Sequence, residues 1–316
     1  MAKVCVCYTT DTGYLFPSFV SALQARRNSS PDNADVLLAG FDLAPEAEHL
    51  FAEACRQSGI LFAAHRQADI GDAPAMLGRL FLADLLPTQY DRLLYIDGDT
   101  QITGSLDPLL TTPVPAGKFY AANDPMTFFI DENDELARDL RAHLTSIGLS
   151  PADSKRYFNS GVIYAEREAW AKTGHDAWRK FSSQPAGTRF PDQDILNVVG
   201  LPNRLPLSLA WNFPIFLRNA NVEDIIRPRI THFMSRPKPW EGVFAPWNQT
   251  AFTPYREAAT RFPGLAPYWH RMNWRKRMRY VAQQRYKQMT ETRNWSRGLR
   301  HDRILTYEAL TGNDSE

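Results

Sequence analysis

The sequence predicts an α/β fold, a mostly parallel, doubly wound (Rossmann-like) sheet with a helical C-terminal extension. Three observations carry that prediction. Short strand-like runs alternate with helix-length segments through residues 3–99, the order that a parallel sheet with crossover helices requires. The fourth run, Leu93-Leu94-Tyr95-Ile96, is apolar throughout, as in a strand covered on both faces. Two acids, Asp97 and Asp99, then stand where that run stops, and ligands of open α/β sheets collect outside the carboxyl ends of the strands.

Lys3-Val4-Cys5-Val6-Cys7-Tyr8 alternates and reads as a strand that ends in Thr9-Thr10-Asp11. A helix is expected over 15–26. Asp35-Val36-Leu37-Leu38-Ala39-Gly40 is the second strand. Pro45 then opens a helix over 46–57, since a proline in the first turn forfeits only an N–H that has no helical partner. Ile60-Leu61-Phe62-Ala63 is the third strand, and 73–86 a helix that Pro87 breaks. Beyond Asp99 the pattern loosens. Phe119-Tyr120-Ala121-Ala122 reads as a strand ending at Asn123-Asp124, and 134–147 as a helix. Tyr157-Phe158-Asn159-Ser160-Gly161 reads as a glycine-containing turn before the strand Val162-Ile163-Tyr164-Ala165. Residues 192–199 start a helix with acids in its first turn, where they suit the helix dipole. From 201 to 255 the chain is rich in Pro, Trp, Phe and Asn, which suggests pocket-lining loops. From about 266 it is helical, basic and aromatic. The division expected is a catalytic domain over 1–265 and a tail over 266–316.

The 316 residues are 44% hydrophobic, ample for a sizeable core, and the net charge of +1 argues against a wholly nucleic-acid-binding protein. The charge is uneven. Eleven of the 36 basic residues but only two of the 35 acidic ones fall in 271–303, so a mildly acidic body carries a strongly basic tail. Trp269, Trp274, Tyr280, Tyr286 and Trp295 interleave with its arginines. Such a segment either docks on anionic head groups, as interfacial helices do, or packs on the body through its aromatics. Cys5 and Cys7 lack a second cysteine pair to complete a zinc site, and with Cys55 they read as buried thiols of a reduced compartment. With a strand opening at residue 3, no leader is expected, and no apolar run reaches the roughly 18 residues of a spanning helix. The expectation is a cytoplasmic chain without a membrane span, peripheral on the inner face of the cell membrane if the tail docks there.

Carboxylates as close as Asp97 and Asp99 repel unless a proton or cation separates them. A hard metal carrying a phosphate ligand is therefore expected at Asp97-Gly98-Asp99. The segment His232-Phe233-Met234-Ser235-Arg236-Pro237-Lys238-Pro239-Trp240 offers an imidazole for the metal and an ammonium for a phosphate. Two carboxylates, one imidazole and phosphate oxygens suit Mn²⁺ or Mg²⁺, with the histidine favouring Mn²⁺. Prolines on both sides stiffen Lys238 and lower the ordering cost of holding its charge over a diphosphate. Arg79 could add positive charge, although a helical arginine is usually solvated. Asp11 ends the strand beside the fourth, at the switch-point crevice, where it could accept hydrogen bonds from a base or ribose; it could equally serve as a turn residue. Asn159 and the segment Asp192-Gln193-Asp194 could read sugar hydroxyls.

Asp97-Gly98-Asp99, Tyr157-Phe158-Asn159-Ser160-Gly161-Val162, Asp192-Gln193-Asp194-Ile195-Leu196-Asn197 and His232…Lys238-Pro239-Trp240, in this order and spacing, resemble retaining glycosyltransferase family 8. That family includes bacterial lipopolysaccharide galactosyl- and glucosyltransferases and the glycogenins. The resemblance covers about residues 3–240. It implies a glycosyltransferase type A fold, a UDP-sugar donor with Mn²⁺ (Mg²⁺ as the alternative), and a glycan or glycolipid acceptor in surface polysaccharide or lipopolysaccharide synthesis. It assigns Asp97, Asp99 and His232 to the metal, Lys238 to the diphosphate and Asp11 to the uridine. Arg79, in Gly78-Arg79-Leu80, resembles the family's arginine near the donor. Asn159, Asp192 and Gln193 would lie around the transferred sugar. Two departures stand out. The family's H-x-x-G-x-x-K-P-W has Ser235 in place of its glycine, followed by Arg236, which could add a phosphate contact. The region Thr9-Thr10-Asp11-Thr12-Gly13-Tyr14 is a loose match.

An amide is a poor nucleophile, so Gln193 disfavours double displacement. Front-face attack is expected, with the leaving phosphate taking the acceptor proton. Two rival readings stand beside this one. A non-catalytic nucleotide-sugar-binding protein would keep the pocket without turnover. An Asp-nucleophile phosphatase would place its Asp-x-Asp nearer the N-terminus.

Overall fold

The computed structural model describes residues 4–183 and 189–312. Lys3 of the first expected strand and the last four residues of the expected tail lie outside the described residues. The strands are β1 (Val4–Thr10), β2 (Ala34–Phe41), β3 (Leu61–His65), β4 (Arg92–Ile96), β5 (Thr100–Ile102), β6 (Phe119–Asn123), β7 (Phe158–Glu166), β8 (Arg204–Pro206), β9 (Phe213–Pro214) and β10 (Ile230–His232). Seven of them form one sheet in the order β3-β2-β1-β4-β7-β6-β8. β1 runs parallel to β2 and β4, β2 parallel to β3, and β6 parallel to β8. The sheet is thus mixed but mostly parallel, with the helices Leu15–Arg27 and Pro45–Gln57 as its first crossovers. Cys5, Cys7 and Cys55 are buried free thiols.

The exception to parallel order matters most. β7 is antiparallel to both β4 and β6, so its start rather than its end lies at the carboxyl edge of β4. Ile96 pairs with Val162, and the Asp97 N–H donates to the Gly161 carbonyl at 2.7 Å. Asn159, Ser160 and Gly161 therefore belong to a strand, not to the turn expected from their polar composition. Their polar groups are met by other site residues, which lets the strand continue through them.

The stretch 73–86 also differs from the expected helix. It is a 3₁₀ segment, Ala75–Phe81, followed by one α-turn, Leu82–Leu85; Pro74 and Gly78 both weaken α-helical order there. The loop-like region 201–255 holds 3₁₀ turns, the start of the helix Gln249–Arg261, and two strands of a second sheet, ordered β5-β10-β9. In it His232 pairs with Thr100, and the Phe233 N–H donates to the Asp99 carbonyl at 2.9 Å. These strands of two or three residues are too short to show any periodicity. They fasten the histidine segment to the acid pair.

The helices Trp274–Trp295 and Leu299–Thr311 lie against the body. Trp295 is buried and meets Phe129 edge-on at 5.8 Å. Arg300 forks onto Glu132 at 2.8 and 2.6 Å. The Tyr307 hydroxyl donates to the Leu207 carbonyl and accepts from the Asn123 N–H and Arg204. Trp274 and Tyr286, on the other side, are 71% and 72% exposed. Among the described residues no helix is long and apolar enough to cross a membrane.

Candidate active site

β4 delivers Asp97, Gly98 and Asp99 to the carboxyl edge of the sheet. Gly98 packs against the helix Leu15–Arg27, and a β-carbon there would run into the Ser18 side chain. The two oxygens of each carboxylate have different partners. Asp97 Oδ1 meets Arg79 Nη2 at 2.9 Å and accepts from the Tyr95 hydroxyl at 2.5 Å. Asp99 Oδ2 meets the Lys238 ammonium at 2.5 Å. The remaining oxygens, Asp97 Oδ2 and Asp99 Oδ1, lie 3.8 and 3.2 Å from His232 Nε2. The three residues each offer a ligand atom, and these atoms lie within 4.8 Å of one another. This N/O set fits Mn²⁺ or Mg²⁺, and it uses the oxygens that Arg79 and Lys238 leave free.

Charge pairing dominates burial here. Burial opposes the charge on Asp99, but Lys238 and His232 outweigh it and hold that carboxyl well below its usual range. Burial likewise opposes the charges on Lys238 and Arg79, and their acidic neighbours, Asp99 and Asp97 first, outweigh it and raise both. Arg79 is not solvated. It is 9% exposed, lies 4.8 Å over the Tyr95 ring, donates to the Ser160 carbonyl at 3.1 Å and reaches Asp192 at 3.3 Å.

Gly161 passes directly beneath the triad. A β-carbon there would overlap the His232 ring and come within 2.8 Å of Asp97 Oδ2. Gly161→Ala is expected to weaken Mn²⁺ binding about 10-fold or more by pushing these ligands apart, an effect of the size that follows loss of a ligand's support. Calorimetric titration of the folded variant checks it, and unchanged affinity would contradict this geometry.

The other wall is the helix Pro191–Gly200. Asp194 fixes it from inside. That carboxylate is fully buried, accepting from the Tyr157 hydroxyl at 2.6 Å and the Phe190 N–H at 3.0 Å and pairing with His143 at 3.0 Å. Asp192 is thereby turned to Arg79, and Gln193 to β7. Gln193 Oε1 accepts from Asn159 Nδ2 at 3.0 Å and from the Ser160 N–H at 3.1 Å. Gln193 Nε2 and Asn159 Nδ2 both donate to Asp124 Oδ2, at 3.1 and 3.0 Å. Burial raises the Asp124 carboxyl despite these donors.

The site opens on a cleft of about 510 Å³, within the usual range of ligand pockets. Asp11, Arg79, Asp97, Gly98, Asp99, Asp192 and Lys238 line it. His232 and Asn159 sit deeper, 4% and 5% exposed, and Gln193 lies with Asn159. Asp11 is at the mouth, where its carboxylate accepts from the Gly13 and Tyr14 N–H groups and so shapes the turn as well. Ser235 and Arg236 are exposed. Sequence reasoning overlooked three residues. Asp124 closes a strand-like run, as Asp97 does, so the same signal was available. Tyr95 lay inside the run itself. Asn212, which contacts His232 and Asn159, had no local signal.

The family model for Glycosyl transferase family 8 matches residues 5–243. The chain is 26% identical over 185 residues to a lipopolysaccharide 1,2-glucosyltransferase of Escherichia coli (strain K12), covering 57% of this chain and 51% of that protein. It is 24% identical over 234 residues to the lipopolysaccharide glucosyltransferase WaaO of the same organism, covering 71% and 66%. The chain thus matches between half and two thirds of the length of these curated relatives. Among solved structures, the galactosyltransferase LgtC in complex with donor and acceptor sugar analogues superposes with a TM-score of 0.62 at 19% identity, over 82% of this chain and 96% of that one.

Proposed function

The chain belongs to glycosyltransferase family 8, and on that premise we propose that it moves a hexose from a UDP-sugar to a glycan or glycolipid acceptor with retention of configuration. The observation that carries this reading is the convergence of Asp97, Asp99 and His232 beside Arg79 and Lys238 on one cleft. The lipopolysaccharide glucosyltransferases among its relatives support an acceptor in surface polysaccharide or lipopolysaccharide synthesis. Residues 1–265 act as the catalytic unit and 266–316 as its tail.

Asp97, Asp99 and His232 would hold Mn²⁺, with Mg²⁺ as the alternative, and that ion would supply Lewis-acid stabilisation of the departing diphosphate. Lys238 and Arg79 set fixed positive charge beside the same phosphates, already oriented by their ion pairs, so little reorganisation is needed as charge develops. Asp11 takes the uridine at the mouth, Gly98 holds the backbone of the acid pair close against the helix Leu15–Arg27 where it lines the donor cleft, and Asp192, Gln193 and Asn159 take the sugar. Gln193 is a weak nucleophile by chemistry, and its amide is already engaged at both ends. The acceptor oxygen therefore attacks from the leaving-group face, and its proton passes to the departing phosphate oxygen. A sugar adduct on Gln193 or Asp192, seen by intact mass in a stalled reaction, would overturn this route.

The test is UDP release from a panel of UDP-sugars with Mn²⁺, with and without chelator and acceptor oligosaccharides. Release from one donor, abolished by chelator, is expected. Metal-dependent UDP binding with no turnover under any acceptor would favour the non-catalytic binding protein instead.

The tail supports a location at the inner face of the cell membrane. On the helix Trp274–Trp295, Trp274, Met278, Tyr286 and Met289 are 71%, 62%, 72% and 73% exposed, interleaved with the exposed Arg275, Arg279, Arg285 and Arg293. This face combines apolar area with basic charge, as interfacial helices do. The protein should sediment with vesicles containing phosphatidylglycerol but not with purely zwitterionic ones. The double change Trp274→Ser with Met289→Ser should weaken that binding about 10-fold or more. Equal binding to both vesicle types, or by the variant, would contradict it.

A further inference from the structure

The direction of each amide along one buried chain can be deduced from fixed ends. The Gly161 backbone N–H can only donate, and it donates to Asn159 Oδ1 at 3.0 Å. The Asn159 Nδ2 group then faces the Asp124 carboxylate, which can only accept when ionised. Asn159 therefore has a single orientation. Its Oδ1 also meets an amide group of Asn212 at 2.9 Å, which must be a donor, Nδ2. That leaves Asn212 Oδ1 pointing at His232 Nδ1, 2.8 Å away. Oδ1 has no proton to give, so Nδ1 carries the hydrogen. With Nδ1 holding its hydrogen, Nε2, 3.2 Å from Asp99 Oδ1, is the nitrogen whose lone pair a metal between Asp97 and Asp99 would take in place of a proton.

We infer that Asn212 is a positioning residue: it fixes the ring of His232 with Nε2 towards the metal and, through Asn159, ties the metal end of the site to the sugar end. Asn212 is 2% exposed, and both ends of its amide are used within the site. A second-layer partner of this kind orients a ligating imidazole and raises its basicity. The same amide holds Asn159, whose Nδ2 group touches Gln193 Oε1 and Asp124. Asn212 needs no contact with metal or donor to act on both.

The inference rests on the metal reading proposed above, and Mn²⁺ affinity in the presence of UDP, read by calorimetry, tests it apart from turnover. Asn212→Ala removes the acceptor and should weaken Mn²⁺ about 10-fold or more. Asn212→Asp keeps an acceptor for the Nδ1 hydrogen but loses the donor to Asn159. It should hold Mn²⁺ within about threefold of the parent while kcat falls about 10-fold or more. A merely structural asparagine would give the opposite order, since the carboxylate would repel Asn159 Oδ1. Binding by Asn212→Asp more than threefold weaker than the parent overturns the inference, as does near-parental binding by Asn212→Ala. If Asn212→Ala does not fold, Asn212→Asp decides alone. Failure of the parent itself to bind Mn²⁺ would sink the metal reading first.

Discussion

Asp97→Asn is expected to abolish Mn²⁺-dependent transfer while leaving the fold almost untouched, whereas Asp99→Asn is expected to abolish transfer and destabilise the protein as well. Both remove a proposed metal ligand, and losing several kcal/mol of charge stabilisation corresponds to about a 10³-fold or larger fall in kcat/KM. The difference lies in the cations left behind. Without the Asp97 charge, Arg79 still has Asp192 at 3.3 Å and the Ser160 carbonyl at 3.1 Å. Without the Asp99 charge, the Lys238 ammonium, 5% exposed, keeps the Phe233 carbonyl at 2.6 Å but, among the described residues, no touching carboxylate. Stranding a buried charge costs about 3–5 kcal/mol, less whatever Lys238 recovers by losing its proton. Urea denaturation in chelator, beside a Mn²⁺ titration, separates the two effects. Equal stability of the variants would contradict the role of Asp99 as the counterion that buries Lys238.

Arg79→Ala should move turnover and metal affinity in opposite directions. Arg79 stands between Asp97 and Asp192 and touches both. Its removal leaves two carboxylates without the cation they share and should cost about 3–5 kcal/mol of stability. The site also becomes more negative, so Mn²⁺ alone should bind more tightly than to the parent. Transfer should nonetheless fall about 10²–10³-fold, because the charge beside the departing phosphates is gone. Arg79→Lys keeps the charge but not the fork that reaches Asp97, Asp192 and Ser160 together, so it should recover stability more than activity. Steady-state kinetics with calorimetry checks both variants. Weaker Mn²⁺ binding by a folded Arg79→Ala would show that the arginine supports the ligands instead of competing for their charge.

The parts of this fold legible in the sequence are those with local signals. The first four strands and two of their crossovers announce themselves through apolar runs and a proline at a helix start, the strand Phe119–Asn123 and the helices Glu135–Ser146 and Pro191–Gly200 fall where expected, and the acid pair falls at a strand end. The rest depends on partners far away in the chain. Nothing in Asn159-Ser160-Gly161 marks it as strand; its polar side chains are acceptable there only because Asp124, Gln193 and Asn212 meet them. β5 and β10 are three residues each and exist because they pair with one another. Arg79 can be offered only as added positive charge from its local sequence, where a solvated helical arginine is the competing reading, because one of its two carboxylates comes from residue 192, more than a hundred positions later. The division between the two oxygens of each aspartate, one on Arg79 or Lys238 and the other turned to His232, is a property of geometry that no motif carries.

That division makes a direct demand on binding. Asp97, Asp99 and Asp192 set three negative charges against the two of Arg79 and Lys238, so metal and diphosphate each lack a full counter-charge without the other. The deciding measurement is a calorimetric titration of the protein with UDP in Mn²⁺, in Mg²⁺ and in chelator. Binding at least 10-fold tighter with Mn²⁺ than with chelator, lost in Asp97→Asn, is the predicted result. UDP affinity indifferent to metal, or a metal effect that survives Asp97→Asn, would contradict the site described by Asp97, Asp99 and His232.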